Sequence, residues 1–273
     1  MRRVIVPTDF SDAAWNAFAY GVELAKNLNT GMLVLNAYRE PHTGASTLVS
    51  LEEILKQDSQ RGMNKLVEKI ESSGIGKDLS IAHKSVHLSL VEALNSQIKE
   101  HDEQVIVMGS LGESGTLEKI IGSNATAVIE RAKCPVFVIP PDATFSSHGR
   151  LVYALSFDHV PESEDIALLK ALAELNPSGK LDAVHVRKGE TSETDIRSLA
   201  DTILRHIPSD LHILSGNDVS DVLADYMDDS QSDLLVMVKK KRGLLHRIFQ
   251  HNVIKEITLG ASKPLLILKV QQD

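Results

Sequence analysis

Val105 to Ile139, VIVMGSLGESGTLEKIIGSNATAVIERAKCPVFVI, decides the fold class. Val105, Ile106, Val107 and Met108 form a continuous apolar run, the pattern of a strand covered on both faces in a parallel sheet. Gly109 and Gly112 interrupt it. Two glycines at a strand's carboxyl end suggest a loop whose main chain a ligand can approach closely. Gly122, Ser123 and Asn124 then precede Ala125, Val128, Ile129 and Ala132, whose spacing marks one apolar helix face, with Ser123 or Asn124 as the expected N-cap. A helix start with a hydroxyl and no acidic side chain in its first turn suits an anion. The alternative is that these glycines only cap and turn an ordinary α/β unit. Val136 to Ile139 closes the stretch as a further strand.

Working outward, Val4-Ile5-Val6 reads as a strand that Pro7 ends, and Thr8, Asp9, Phe10 and Ser11 as its loop. From Asp12 the apolar positions Ala14, Ala17, Phe18, Gly21, Ala25 and Leu28 recur at helical spacing to about Asn27, with Trp15 at the margin. Met32 to Ala37 and Ser80 to Val86 are the next strands, separated by a helix from about Leu51 to Ser72. Arg39 to Thr47 reads as a mobile loop. Leu90 to Lys99 is a helix. Strand alternating with helix five times implies a parallel sheet with right-handed crossovers, whose ligands bind at the strands' carboxyl ends where the order reverses. If the first and fourth strands are neighbours, Asp9 faces Gly109 across that crevice.

Pro140 to Gly149, PPDATFSSHG, reads as a linker, and after it the pattern repeats. Leu151 to Leu155, Leu181 to Val186 and Leu211 to Leu214 are strands; Ile166 to Leu175, Ile196 to His206 and Val219 to Met227 are helices. Leu234 to Met237 matches Val105 to Met108, and Lys263-Pro264 before Leu265 to Leu268 matches Cys134-Pro135 before Val136 to Ile139. The expected division is residues 1–140, a linker over 141–149, and a second unit over 150–273. In the second copy Val238 and Lys241 stand for Gly109 and Gly112, and Gln250 and His251 for Gly122 and Ser123. Ser156 falls at the position of Asp9, with Asp158 close by. Side chains at those places would obstruct a polyphosphate, so the second half keeps the fold and loses the site. The apolar last strands of the two halves, Val136 to Ile139 and Leu265 to Leu268, are expected to pair as an intrachain pseudo-dimer, since bare apolar edges invite aggregation. A homodimer is a further assembly to consider.

Composition narrows the function classes. The 273 residues are 42% hydrophobic, 24% charged and 4% aromatic, which gives an aliphatic core in a chain long enough for two domains. A net charge of -8 argues against a broad nucleic-acid surface. No apolar stretch approaches the ~20 residues that span a membrane, and MRRVIVPTDF lacks a signal peptide's apolar core, so the expected location is the cytoplasm. The single cysteine, Cys134, fits a reducing compartment and a structural role. The eleven histidines form no zinc-binding pair. Lys239-Lys240-Lys241-Arg242, with His246, Arg247 and His251 nearby, is either a solvated face or a side-chain substitute for the glycine cradle that holds an anion or an acidic partner.

The duplicated unit, the opening Val6-Pro7-Thr8-Asp9-Phe10-Ser11, and the spacing Gly109, two residues, Gly112, nine residues, Gly122-Ser123 together resemble the universal stress proteins of the tandem type. The resemblance covers essentially the whole chain. It implies two tandem flavodoxin-like α/β domains, each a five-stranded parallel sheet with helices on both faces. It also implies an adenine nucleotide, ATP or AMP/ADP, as ligand of a stress-response protein. Pro7-Thr8-Asp9-Phe10-Ser11 is not the hydrolytic loop of the related enzymes and no general base is placed beside it, so the expectation is a non-enzyme with at most weak ATPase activity. Asp9 would contact the ribose, with the Pro7-Thr8 backbone and Ala37 near the adenine and Met108 packed on the base. Gly109, Gly112, Gly122, Ser123 and Asn124 would hold ribose and phosphates. Mg2+ could be recruited through water by Glu113 and Glu118, a solvated loop being the alternative. His87 stands where the family often has glycine, a place from which it would narrow the pocket or touch the ligand. Other readings are a slow ATP hydrolase of the related nucleotide hydrolases, a non-nucleotide anion-binding scaffold, and, on fold alone, a flavin module.

Overall fold

A computed structural model describes residues 3–39, 48–98, 104–110, 122–147, 149–157, 161, 163–187, 191–239 and 263–269. The first strand, β1 (Arg3–Pro7), is buried from Val4 onward, and Ser11 ends the loop after it by capping helix α1 (Asp12–Asn27), its hydroxyl accepting from the Ala14 N–H at 3.2 Å. Gly21 faces the sheet inside α1: a Cβ there would sit 3.0 Å from Val6 Cγ2 and 3.3 Å from Met32 Cε, so the missing side chain sets how closely helix and sheet approach. The chain continues through β2 (Gly31–Tyr38), α2 (Leu48–Ser73), β3 (Ile81–His87), α3 (Leu90–Gln97), β4 (Gln104–Gly109), α4 (Ser123–Arg131) and β5 (Val136–Ile139). Ser89 and Glu92 form a capping box that starts α3. The second unit holds β6 (Leu151–Ala154), α5 (Ser163–Leu175), β7 (Leu181–Arg187), α6 (Glu193–Ile203), β8 (Ser209–Ser215), α7 (Val219–Asp229), β9 (Leu234–Val238) and β10 (Leu265–Leu268). Helix α6 begins earlier than apolar spacing alone predicts, because Ser192 accepts from the Thr194 N–H and so fixes the start ahead of Ile196, the first buried position.

The strands form one ten-stranded sheet in the order β3-β2-β1-β4-β5-β10-β9-β6-β7-β8. Each half is a five-stranded parallel sheet in the order 3-2-1-4-5, covered by helices on both faces. The seam is the expected one: β5 and β10 pair antiparallel, with Val138 opposite Leu265, Phe137 opposite Leu266 and Val136 opposite Ile267. Pairing the two apolar last strands removes both as edges. The buried layers on each face run through this seam, so the two halves share their hydrophobic core.

The Pro140–Gly149 connection is packed as well as linking. Asn16 Nδ2 donates to the carbonyls of Pro140 and Ala143 at 3.0 Å each, Ala143 is buried, and Phe145 meets Tyr20 edge-on at 5.2 Å. Trp15 lies at the margin, stacked on Phe18 with the Lys69 ammonium over its ring at 4.1 Å. Among the described residues no helix is long and apolar enough to cross a membrane.

Cys134 is buried before β5, and loss of solvent pushes its thiol up to about 12. Since the reactive species is the thiolate, which exists only as pH approaches that value, the native protein is expected to resist thiol reagents at mildly alkaline pH. Disulfide-reagent titration should give no thiol in buffer and one in denaturant; full native reactivity would contradict the buried placement.

Candidate functional site

The strand order changes direction between β1 and β4, and there the sheet opens. These strands pair from Arg3 opposite Gln104 to Ile5 opposite Ile106. Beyond that, β1 stays with β2 as far as Pro7 opposite Leu35, and β4 stays with β5 as far as Gly109 opposite Ile139. The last residues of β1 and β4 therefore part, leaving a crevice at their carboxyl ends.

On one wall is the loop after β1. The Thr8 N–H donates to the Leu35 carbonyl at 2.9 Å, carrying the ladder one residue past Pro7. Asp9 is half-buried, and its Oδ1 accepts from the Ser11 N–H at 3.1 Å and the Ser11 hydroxyl at 2.6 Å. This holds the carboxylate at the start of α1, where the helix dipole favours negative charge. Asn36, a polar residue inside the apolar β2, is buried and donates from Nδ2 to the Thr8 carbonyl at 2.7 Å. Sequence reasoning passed over Asn36, although a lone amide in Leu33-Val34-Leu35-Asn36-Ala37 is a legible signal that a buried partner waits for it.

On the other wall, Met108 is buried and Gly109 half-buried at the end of β4. Ser110 N–H donates to the Ile139 carbonyl at 2.9 Å, and the Ser110 carbonyl accepts from the Gly122 N–H at 2.7 Å. That last bond closes the glycine loop and sets the start of α4 directly on the end of β4. The N-cap is Gly122, one residue earlier than expected; Ser123 and Asn124 are the first helical residues with exposed side chains. Gly122 has φ -63° and ψ 159°, an extended conformation open to any residue. Among the described residues no side chain caps α4, in contrast to Ser11 on α1, and its first turn carries no acidic residue. An anion is the natural complement of such a helix start.

Ala37 lies at the end of β2, half-buried, opposite Val86. Next to it Tyr38 and His87 stack at 5.3 Å with planes 15° apart, and His87 Nδ1 lies 3.4 Å from Glu52 Oε1. His87 is thus paired sideways with β2 and α2. The structure brings Pro7, Thr8, Asp9, Ala37, Met108, Gly109, Gly122, Ser123 and Asn124 to the carboxyl ends of adjacent strands and the α4 start. Gly112, Glu113, Glu118, Asp158, Lys240, Lys241, Arg242, His246, Arg247, Gln250 and His251 lie outside the described residues.

The register confirms how the halves correspond. Leu155 N–H donates to the Val184 carbonyl at 2.8 Å as Thr8 does to Leu35, which places Ser156 at the position of Asp9. Lys239 N–H donates to the Leu268 carbonyl at 2.8 Å as Ser110 does to Ile139, which places Val238 at the position of Gly109. The Lys239 ammonium reaches across the seam to the Glu130 carbonyl near the end of α4, and burial lowers its pKa. The first cation of the basic run is therefore committed to the other half's main chain.

The sequence pattern described as the Universal stress protein family matches residues 1–140. The chain is similar to a universal stress protein of Methanocaldococcus jannaschii, 27% identical over 149 residues, which are 50% of this chain and 81% of that one. It is also similar to universal stress protein E of Escherichia coli K12, 29% identical over 126 residues, which are 44% of this chain but only 39% of that one. The crystal structure of a universal stress protein from Archaeoglobus fulgidus superposes with a TM-score of 0.73 over 99% of this chain and 97% of that chain at 19% identity, a likeness of fold.

Proposed function

Because this chain belongs to the universal stress protein family, we propose that it is a regulatory, stress-response protein that binds one adenine nucleotide, ATP or its AMP and ADP relatives, in its N-terminal half. The observation that carries the reading is the parting of β1 and β4, with the Asp9 loop on one wall and the Ser110–Gly122 closure on the other. Asp9 supplies an acceptor for ribose hydroxyls, the Pro7-Thr8 main chain and Ala37 border the base with Met108 beneath it, and the main chain at Gly109, Gly122, Ser123 and Asn124 receives the phosphates. Asp9 is already an acceptor for Ser11, which suits hydroxyl binding better than activation of water. Binding without appreciable turnover is the expected behaviour.

The second half repeats the walls with Ser156 for Asp9 and Val238 for Gly109, which replaces a carboxylate by a weaker hydroxyl acceptor and a glycine by a branched side chain. Isothermal titration with ATP should give one site per chain, and native mass spectrometry of the purified protein should show the same stoichiometry. Two sites per chain, or none, would overturn the assignment. Phosphate release faster than a few turnovers per hour, lost in Asp9→Ala, would favour the hydrolase reading instead.

A further inference from the structure

Phe10 has φ 68°, in the left-handed region that bulky residues avoid. Such a conformation persists only where neighbours over-determine it, and one turn of α2 meets Phe10 directly and Thr8 through Asn36. The Phe10 ring lies over Gly62: a Cβ on that residue would stand 2.3 Å from ring atom Cε2 and 2.6 Å from Cδ2, so only glycine leaves the seat. The Phe10 N–H donates to Thr8 Oγ1 at 3.0 Å. Three residues before Gly62 on the same helix face, Ser59 is buried and donates to Asn36 Oδ1 at 2.5 Å. This fixes which way the amide faces, so that Nδ2 meets the Thr8 carbonyl. Met63 and Leu66, buried on the same side, secure that turn of α2 to the core.

The other half anchors its loop differently. Phe157, at the position of Phe10, packs edge-on against His185 at 5.3 Å, and His185 Nδ1 makes the bond to the Leu155 carbonyl that Asn36 makes to Thr8. There both contacts come from one residue of the neighbouring strand β7. The helix in the place of α2 is α6, with 11 residues against 26. Glycine is unfavourable inside a helix, so its presence in α2 marks a packing requirement.

We infer that α2 sets the geometry of the Asp9 loop, with Gly62 and Ser59 as positioning residues for nucleotide binding. The consequence for binding rests on the nucleotide reading above; the structural claim does not. The test is Gly62→Ala in the full chain, followed by amide hydrogen exchange at Phe10 and Ser11, ATP titration and thermal unfolding. Exchange should accelerate and ATP affinity fall, each at least tenfold. The unfolding midpoint should hold or rise, because alanine favours the helix and the Phe10 ring, 37% exposed, can swing into solvent. Phe10→Gly in the same background should restore affinity to within threefold, since glycine takes the left-handed angle without a seat. Ser59→Ala should accelerate the same amides through the freed Asn36. Unchanged exchange in both single variants, or a loss that Phe10→Gly does not reverse, would overturn the inference. A parent protein that binds no ATP would sink the nucleotide reading, while the exchange data would still decide whether α2 holds the loop.

Discussion

Phe137→Ala is expected to destabilise the whole chain by about 3–5 kcal/mol, the range for removing a large aromatic side chain from a packed interior. Phe137 is 0% exposed, and so is Leu266, which faces it across the β5–β10 seam. Its ring also meets Tyr20 of α1 at 6.1 Å, and its backbone pairs with Val107 of β4. The shared core predicts one cooperative transition in urea for the parent, with the variant's midpoint moved down and its slope unchanged. Ile54→Ala, at a position 52% exposed on α2, is the control and should change stability by no more than about 0.5 kcal/mol. A loss below about 1 kcal/mol for Phe137→Ala would contradict the close packing of this side chain on both sides of the seam.

That seam was legible in the sequence because Val136-Phe137-Val138-Ile139 and Leu265-Leu266-Ile267-Leu268 are apolar at every position, which a parallel sheet ending in an exposed strand does not permit. The alternation of apolar runs with amphipathic stretches likewise gave the order of strands and helices. The duplication then showed which positions correspond, and the matching main-chain bonds of Thr8 with Leu155, and of Ser110 with Lys239, bear this out.

What escaped the sequence depends on bonds between distant residues. Ser123 and Asn124 are good caps by residue type, yet the bond from Gly122 to Ser110 ends the loop one residue sooner and makes glycine the cap. The Pro, Ser and Gly content of 140–149 suggested a linker and gave no sign that Asn16, on α1, would hold its carbonyls. Gly62 and Phe10 are unremarkable in their own segments and become informative only where α2 crosses the end of β1. Local pattern gives element type; it does not report what a turn of one helix finds above a strand far earlier in the chain.

Gly122→Val should weaken ATP binding about 30-fold or more, on the order of 2 kcal/mol. The backbone does not oppose the substitution, since φ -63° and ψ 159° suit valine. What changes is the space in front of the α4 start, where two methyl groups would stand between the phosphates and the helix N–H groups. The Gly122 N–H is itself engaged with the Ser110 carbonyl at 2.7 Å, so the loop should remain closed and the fold should survive. Valine is a poorer N-cap than glycine, a cost to the helix of about 1 kcal/mol or less, which thermal unfolding measures separately. Gly122→Ala, with one methyl group, should fall between parent and valine in affinity. At the matching wall of the second half, Val238→Gly should leave ATP binding unchanged, because Ser156 still stands where Asp9 would be needed and Lys239 remains turned to the Glu130 carbonyl. Titration calorimetry on the four proteins orders them: parent equal to Val238→Gly, then Gly122→Ala, then Gly122→Val. Parent-like affinity in Gly122→Val, or a second binding event created by Val238→Gly, would place the phosphates elsewhere than at the start of α4.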